Sequence, residues 1–175
     1  KETQLPAIKE AATLIADSVL DTGPGAGNIS LSGDVTGGGH NLQLISGYGT
    51  TTVGGAMSGI GELKIQEDAP SSTGAVVFNG NLSANSIVTF GQNYDISFLG
   101  GMTDVTTAVN FLNTGSVTLG NSDADVLTFT GGLDTTACGG TFIAGSLSTT
   151  GTNMRFGPVS LSANSVLDTG VSGGN

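Results

Sequence analysis

Short stretches of strict apolar–polar alternation, each cut off by glycine or asparagine, leave this chain few folds to adopt. Ile29 and Leu31 flank Ser30, and Leu42 and Leu44 flank Gln43. The same triplet recurs as Leu63-Lys64-Ile65, Ile96-Ser97-Phe98, Val109-Asn110-Phe111, Val117-Thr118-Leu119, Leu127-Thr128-Phe129 and Val159-Ser160-Leu161. A period of two sets each apolar pair on one side of a strand and the polar residue on the other. Between the triplets lie Gly37-Gly38-Gly39, Gly54-Gly55, Asn79-Gly80-Asn81, Gly131-Gly132 and Gly139-Gly140, residues that turn a chain at little steric cost. The spacing predicts roughly fourteen short strands and an all-β fold.

Thirty of the 175 residues are glycine, yet 37% are hydrophobic, which is too apolar for a disordered chain. The net charge is −10, opposed only by Lys1, Lys9, Lys64 and Arg155. Such a surface lacks the basic footprint that nucleic acid requires, and an anionic membrane repels it. No apolar stretch has the length of a membrane span, so neither nucleic acid nor membrane insertion is expected. The plain reading of the acidity is solubility. Cys138 is the single cysteine, which rules out an intrachain disulfide and fits a small buried residue. The opening residues lack an apolar leader core, so export is an expectation drawn from the type of protein.

The chain also repeats itself. Ser18-Val19-Leu20-Asp21-Thr22-Gly23 recurs as Ser165-Val166-Leu167-Asp168-Thr169-Gly170, and Leu82-Ser83-Ala84-Asn85-Ser86-Ile87 recurs as Leu161-Ser162-Ala163-Asn164-Ser165-Val166. These copies suggest approximate units at 16–83 and 84–162, with the next beginning at 163–175. In the same register Asn175 aligns with Asn28, so the chain reads as a piece of a longer array. Residues 1–15 fit less well: Pro6 and the helix formers after it suit a short capping helix, while alignment of Leu14 with Leu161 suits a degenerate first strand. A sandwich of this size carries longer strands and more aromatic residues than two Tyr, seven Phe and no Trp. The expectation is therefore a parallel right-handed β-helix, a β-solenoid with two or three strands per turn, with Ile29, Leu31, Leu44, Val117 and Phe129 in its core.

The stretches Ala16-Asp17-Ser18-Val19-Leu20-Asp21-Thr22-Gly23, Asn28-Ile29-Ser30-Leu31-Ser32-Gly33 and Gly38-Gly39-His40-Asn41-Leu42-Gln43-Leu44 resemble the repeats of giant bacterial β-strand-repeat surface adhesins. Those are similar to filamentous-haemagglutinin-like and autotransporter passenger proteins. The resemblance covers residues 16–175. It implies secretion to the cell surface or beyond, a parallel β-helix, and a role in adhesion, biofilm or fibre formation, and it brings no catalytic residues with it. The partners it implies are copies of the chain or adjoining repeats, with a surface glycan or receptor as the alternative.

The residues themselves offer little chemistry, and no enzyme is expected. His40 is the only histidine and sits in a glycine turn, where a triad base is not expected. The Gly-x-Ser-x-Gly match at 170–174 has no room for the helix that a nucleophile elbow needs. Asp21 and Asp168, in two Asp-Thr-Gly copies, look like an aspartic-protease dyad, but the longer repeat around each explains the duplication. Arg155, the sole arginine, is too little for a lyase. No cofactor is expected. The weak metal candidates are Asp123 and Asp125, or Glu67 and Asp68, whose oxygens would suit calcium, although the glycine-rich nonapeptide of calcium β-rolls is missing and an acidic turn is the plainer reading.

Overall fold

The computed structural model describes residues 8–23, 25–67 and 72–171. Every named strand pairing in it is parallel, and the strands wind as a β-solenoid of about seven turns. Each turn lays strands on three faces. The first face stacks Ile29–Leu31, Thr51–Val53, Ala75–Phe78, Asp95–Phe98 and Ser116–Leu119 in succession. It ends on the opening halves of Gly140–Ser148 and Val159–Asp168, two long strands that bend onto the second face. The second face begins at Ala12–Thr13, and the third at Ser18–Asp21. In the later turns the third face separates as its own sheet, Val109–Asn110, Leu133–Thr135 and Met154–Phe156.

Stacked turns place like positions above one another. One column runs from Ile8 through Leu31, Val53, Phe78, Phe98, Leu119 and Ile143 to Leu161, all apolar. A second, on the next face, runs from Ala12 through Val35, Met57, Leu82, Thr103, Leu127 and Leu147 to Leu167. Seven of the eight alternating triplets bury both apolar residues, and the five core candidates are all buried. The exception is the last triplet: Val159 and Leu161 occupy inward positions but stay 42% and 60% exposed, because no described turn lies beyond them. Burial here is a property of neighbouring turns, as expected of a solenoid.

Residues 8–14 form no helix. Ile8 bridges Leu31 and Ala12–Thr13 pairs with Val35–Thr36, so this segment is a degenerate first turn. Local helix propensity is outweighed by the backbone partners on offer at the edge of the stack. The remainder of the expected cap, residues 1–7, lies outside the described residues.

Eighteen strands occur among the described residues, more than the triplets alone mark. The surplus falls on all three faces, and on the second Val35–Thr36 and Met102–Val105 carry no apolar–polar–apolar triplet. The few aromatic side chains are concentrated in the middle turns. Phe78 and Phe98 stack with ring centres 5.2 Å apart, and Phe111 bridges edge-on to Phe98 and Phe129 at 6.0 and 6.3 Å.

The corners are held by two devices. Gly33, Gly55, Gly80 and Gly100 stack at the corner between the first and second faces, where a side-chain carbon on any of them would run into the backbone of residues 10, 33, 55 and 80 respectively. The second device is an asparagine or aspartate whose side-chain oxygen accepts a backbone N–H from the next turn. Asp17 accepts from Asn41 at 2.9 Å, Asn41 from Glu62 at 2.8 Å, Asp34 from Ala56 at 2.8 Å, and Asn81 from Met102 at 3.0 Å. Buried Gln66 adds a polar clasp from a left-handed backbone conformation (φ 66°). Its Oε1 accepts from the amides of Ser46 and Gly47 at 3.0 and 3.1 Å.

The sequence repeats do not keep to one face. Ser18–Asp21 lies on the third face of the first turn, whereas its copy at 165–168 lies on the second face of the last. Likewise the strand Leu82–Val88 bends from the second face to the third, and its copy in Val159–Asp168 bends from the first to the second. What the sequence repeats is a corner and a strand ending. The structural period is the single turn, along which residue numbers advance by 18 (Thr141 to Val159) to 25 (Thr51 to Val76).

The glycine column gives a direct test. Gly80→Ala, with a carbonyl in the way, is expected to cost about 1–3 kcal/mol or more. Gly91→Ala, with nothing within 4 Å, is expected to leave stability nearly unchanged. Thermal unfolding followed by circular dichroism separates the two.

Candidate functional site

The residues singled out for chemistry are dispersed along the rod and engaged in holding it. Asp21 Oδ1 accepts the Gly23 amide at 2.6 Å, and Asp168 Oδ1 accepts the Gly170 amide at 2.8 Å. Both glycines have positive φ, 79° and 76°. Each Asp-Thr-Gly is thus a strand-ending turn in which the carboxylate fixes its own backbone. The two lie in the first and last described turns, so they do not share a proton as a dyad must.

Asp125 turns inward. Its Oδ2 accepts the amides of Asn121 and Ser122 at 2.8 and 3.0 Å, closing the turn on which Asp123 stands exposed. That carboxylate serves backbone N–H groups in the arrangement expected of an acidic turn. Glu67 is half-buried, while Asp68 lies outside the described residues. Among the described residues, no three His, Cys, Asp or Glu side chains gather as metal ligands would. Ser172 of the Gly-x-Ser-x-Gly match also lies outside them.

His40 Nδ1 stands 3.7 Å from Asp17 Oδ1, on an exposed corner. Asp17 is held mainly by Asn41, which donates its backbone N–H to Oδ1 and its side-chain amide to Oδ2 at 3.0 Å. These bonds, the backbone one first, together with His40 bring the Asp17 pKa below its usual value. Cys138 is buried, its Sγ 3.7 Å from the Phe111 carbonyl. Burial, and then the charge of Asp134, push its thiol up to about 11. Such a thiol is not a nucleophile at neutral pH.

Two features could engage something outside the chain. One is a shallow groove of about 490 Å³ at the corner between the second and third faces in the later turns. Gly131 and Gly132 line it together with Asn110, Asp134 and Arg155, which are stacked in register on successive turns. Asp134 is pre-set: its Oδ1 accepts both the amide and the hydroxyl of Thr136, at 2.9 and 2.6 Å. Partial burial would raise its pKa, but those two bonds and the charge of Arg155 bring it below the usual value.

The other feature is the last turn itself. Val159–Asp168 is a ten-residue strand that, among the described residues, pairs on one side, with Gly140–Ser148. Val159, Leu161 and Leu167 continue inward columns and remain 42%, 60% and 47% exposed. Fully covering an aliphatic side chain of this size is worth roughly 1.5–3 kcal/mol, and an unpaired strand edge is a template for another strand. Composition did not reveal this site. Its signal was present in the triplet Val159-Ser160-Leu161, which matches the buried ones.

Two expected outcomes follow from the titrating groups. Asp17 and Asp134 have depressed folded-state pKa values, so they stabilise the fold above the unfolded value of 3.8, and that contribution is lost as pH falls through the lower folded values. Unfolding temperature is expected to drop below pH 3.8, and Asp17→Asn to flatten that drop. Cys138 is expected to resist a thiol reagent at pH 8 in the folded protein and to react on denaturation, read as thiol absorbance. No family model, curated protein or solved structure matches the chain.

Proposed function

We propose that the chain is a non-enzymatic structural protein of the cell exterior, a β-solenoid segment of a bacterial fibre or surface adhesin that self-associates through β stacking. The observation that carries this reading is the parallel β-solenoid itself, in which the apolar side chains of each turn are covered by the turns before and after it. The engagement of the acidic residues supports it, since Asp17, Asp34, Asp125 and Asp168 are spent on backbone N–H groups. The net charge of −10 suits a rod that must stay soluble while its ends remain sticky. Adhesin membership and export rest on the resemblance of the repeats.

A second reading has its own observation. The groove at Asn110, Asp134 and Arg155 offers hydrogen-bond donors and acceptors in a fixed array, as a stalk binding a glycan or receptor would need. The glycine turn at 37–41 is the other presented element.

Electron microscopy of the purified chain over a concentration series tests the first reading. Filaments with a ~4.8 Å axial repeat are expected. Dispersed short rods at every concentration refute self-association. Saturable glycan binding by such rods, lost in Arg155→Ala, would establish the second reading in its place.

A further inference from the structure

We infer that the groove at Asn110, Asp134 and Arg155 takes a neutral, hydroxyl-rich saccharide of disaccharide length, laid along the rod axis, with Asp134 accepting from its hydroxyls and Arg155 and Asn110 donating to them. This deepens the reading of that groove as a glycan site and rests on it. It holds whether or not the segment also self-associates.

The three side chains are outward members of one parallel ladder. Asn110 pairs with Asp134 and Asp134 with Arg155, while their chain neighbours Val109, Leu133 and Thr135 are buried and Met154 and Phe156 are half-buried. Strand alternation therefore aims all three away from the axis. The groove opens sideways across three successive turns. A further turn stacked beyond Met154–Phe156 would meet the backbone edge of that strand and leave the outward array in place. Two turn spacings, ~10 Å, separate Asn110 from Arg155, which is the reach of two linked sugar rings and more than that of one. Beside the ladder Gly131 and Gly132 present no side chain, so a ring can come close to the backbone there.

The chemistry selects the class of ligand. Asp134 Oδ1 is taken by the amide and the hydroxyl of Thr136, which fixes the carboxylate and leaves Oδ2 to accept from a ligand. The ion pairs among the described residues are His40 with Asp17 and Lys64 with Glu62, so no carboxylate holds the Arg155 guanidinium directly and its N–H fork is left to outside acceptors. Asn110 adds an amide that both donates and accepts. A hydroxyl does both at once, so a polyol satisfies carboxylate and guanidinium together. An anionic sugar is disfavoured, because the charge of Arg155 is offset by Asp134 one turn away and the chain carries −10 overall. A peptide strand would need an open sheet edge for its backbone, and Leu133–Thr135 is paired on both sides. No aromatic side chain lines the groove, so the rings are held at their edges through hydroxyls and not by stacking.

The test follows the side-chain N–H signals of Arg155 and Asn110 by nuclear magnetic resonance while the 175-residue chain is titrated with sugar. The probes are cellobiose, maltose and lactose as neutral disaccharides and digalacturonate as an acidic one. Saturable shifts with at least one neutral disaccharide, and none with digalacturonate, are expected. Asp134→Asn keeps an oxygen for Thr136 but puts a donor where the free acceptor stood, and is expected to weaken that binding about tenfold or more. Arg155→Gln is expected to do the same, and Lys64→Gln, on the same face of an earlier turn, to leave binding unchanged. An unaltered circular dichroism spectrum in each variant separates loss of the site from loss of the fold. Digalacturonate shifts as large as the neutral ones would overturn the neutral class and leave the glycan reading standing. Neutral binding that survives both Asp134→Asn and Arg155→Gln would overturn this site and likewise leave that reading. No saturable shift with any probe would overturn both.

Discussion

Parallel pairing between successive turns is the interaction on which everything else in this rod depends. A single turn cannot bury its own apolar residues, because each is covered only by the same position in the turns before and after. The contrast between Val117 and Leu119, fully buried, and Val159 and Leu161, open, shows this directly, since the triplets are alike and only their neighbours differ. Stability is then a sum of interfaces between turns, and any face without a neighbour is reactive through its backbone whatever its side chains.

The corners determine whether such pairing can persist over many turns. Stacked glycines let the backbones approach where no side chain fits, and asparagine or aspartate oxygens tie one turn to an amide in the next. A third, local arrangement uses up acidic side chains that the sequence offered as ligands or catalysts. Asp21, Asp125 and Asp168 show the economy of the arrangement: each carboxylate is fixed by backbone N–H groups within a few residues of itself.

Much of this was legible in the residues. Alternating triplets marked much of the first and third faces, where most inward positions are Ile, Leu, Val and Phe and the buried exceptions are Thr51, Thr135 and Thr141. The second face was poorly marked because its columns admit Thr103, Ala84 and small corner residues, which carry no clear period. The first turn was ambiguous because its sequence favours a helix in isolation, and only the adjacent strands decide otherwise. The Gln66 clasp was invisible, since its side chain bonds to Ser46 and Gly47, some twenty positions away. The groove at Arg155 was hidden for the same reason, as Asn110, Asp134 and Arg155 meet only through stacking.

The wandering of the repeats between faces bears on how such a rod changes length. The two copies of Ser-Val-Leu-Asp-Thr-Gly are separated by a stretch that does not close a whole number of turns. Unequal recombination between them would therefore rotate all later segments by one face. Each re-faced strand would then meet the corner of another face, where the stacked glycines Gly33, Gly55, Gly80 and Gly100 serve the first-to-second corner. Gene rearrangement could thus lengthen, shorten or re-face the rod without designing a new core, moving an exposed element such as the Arg155 groove around its circumference.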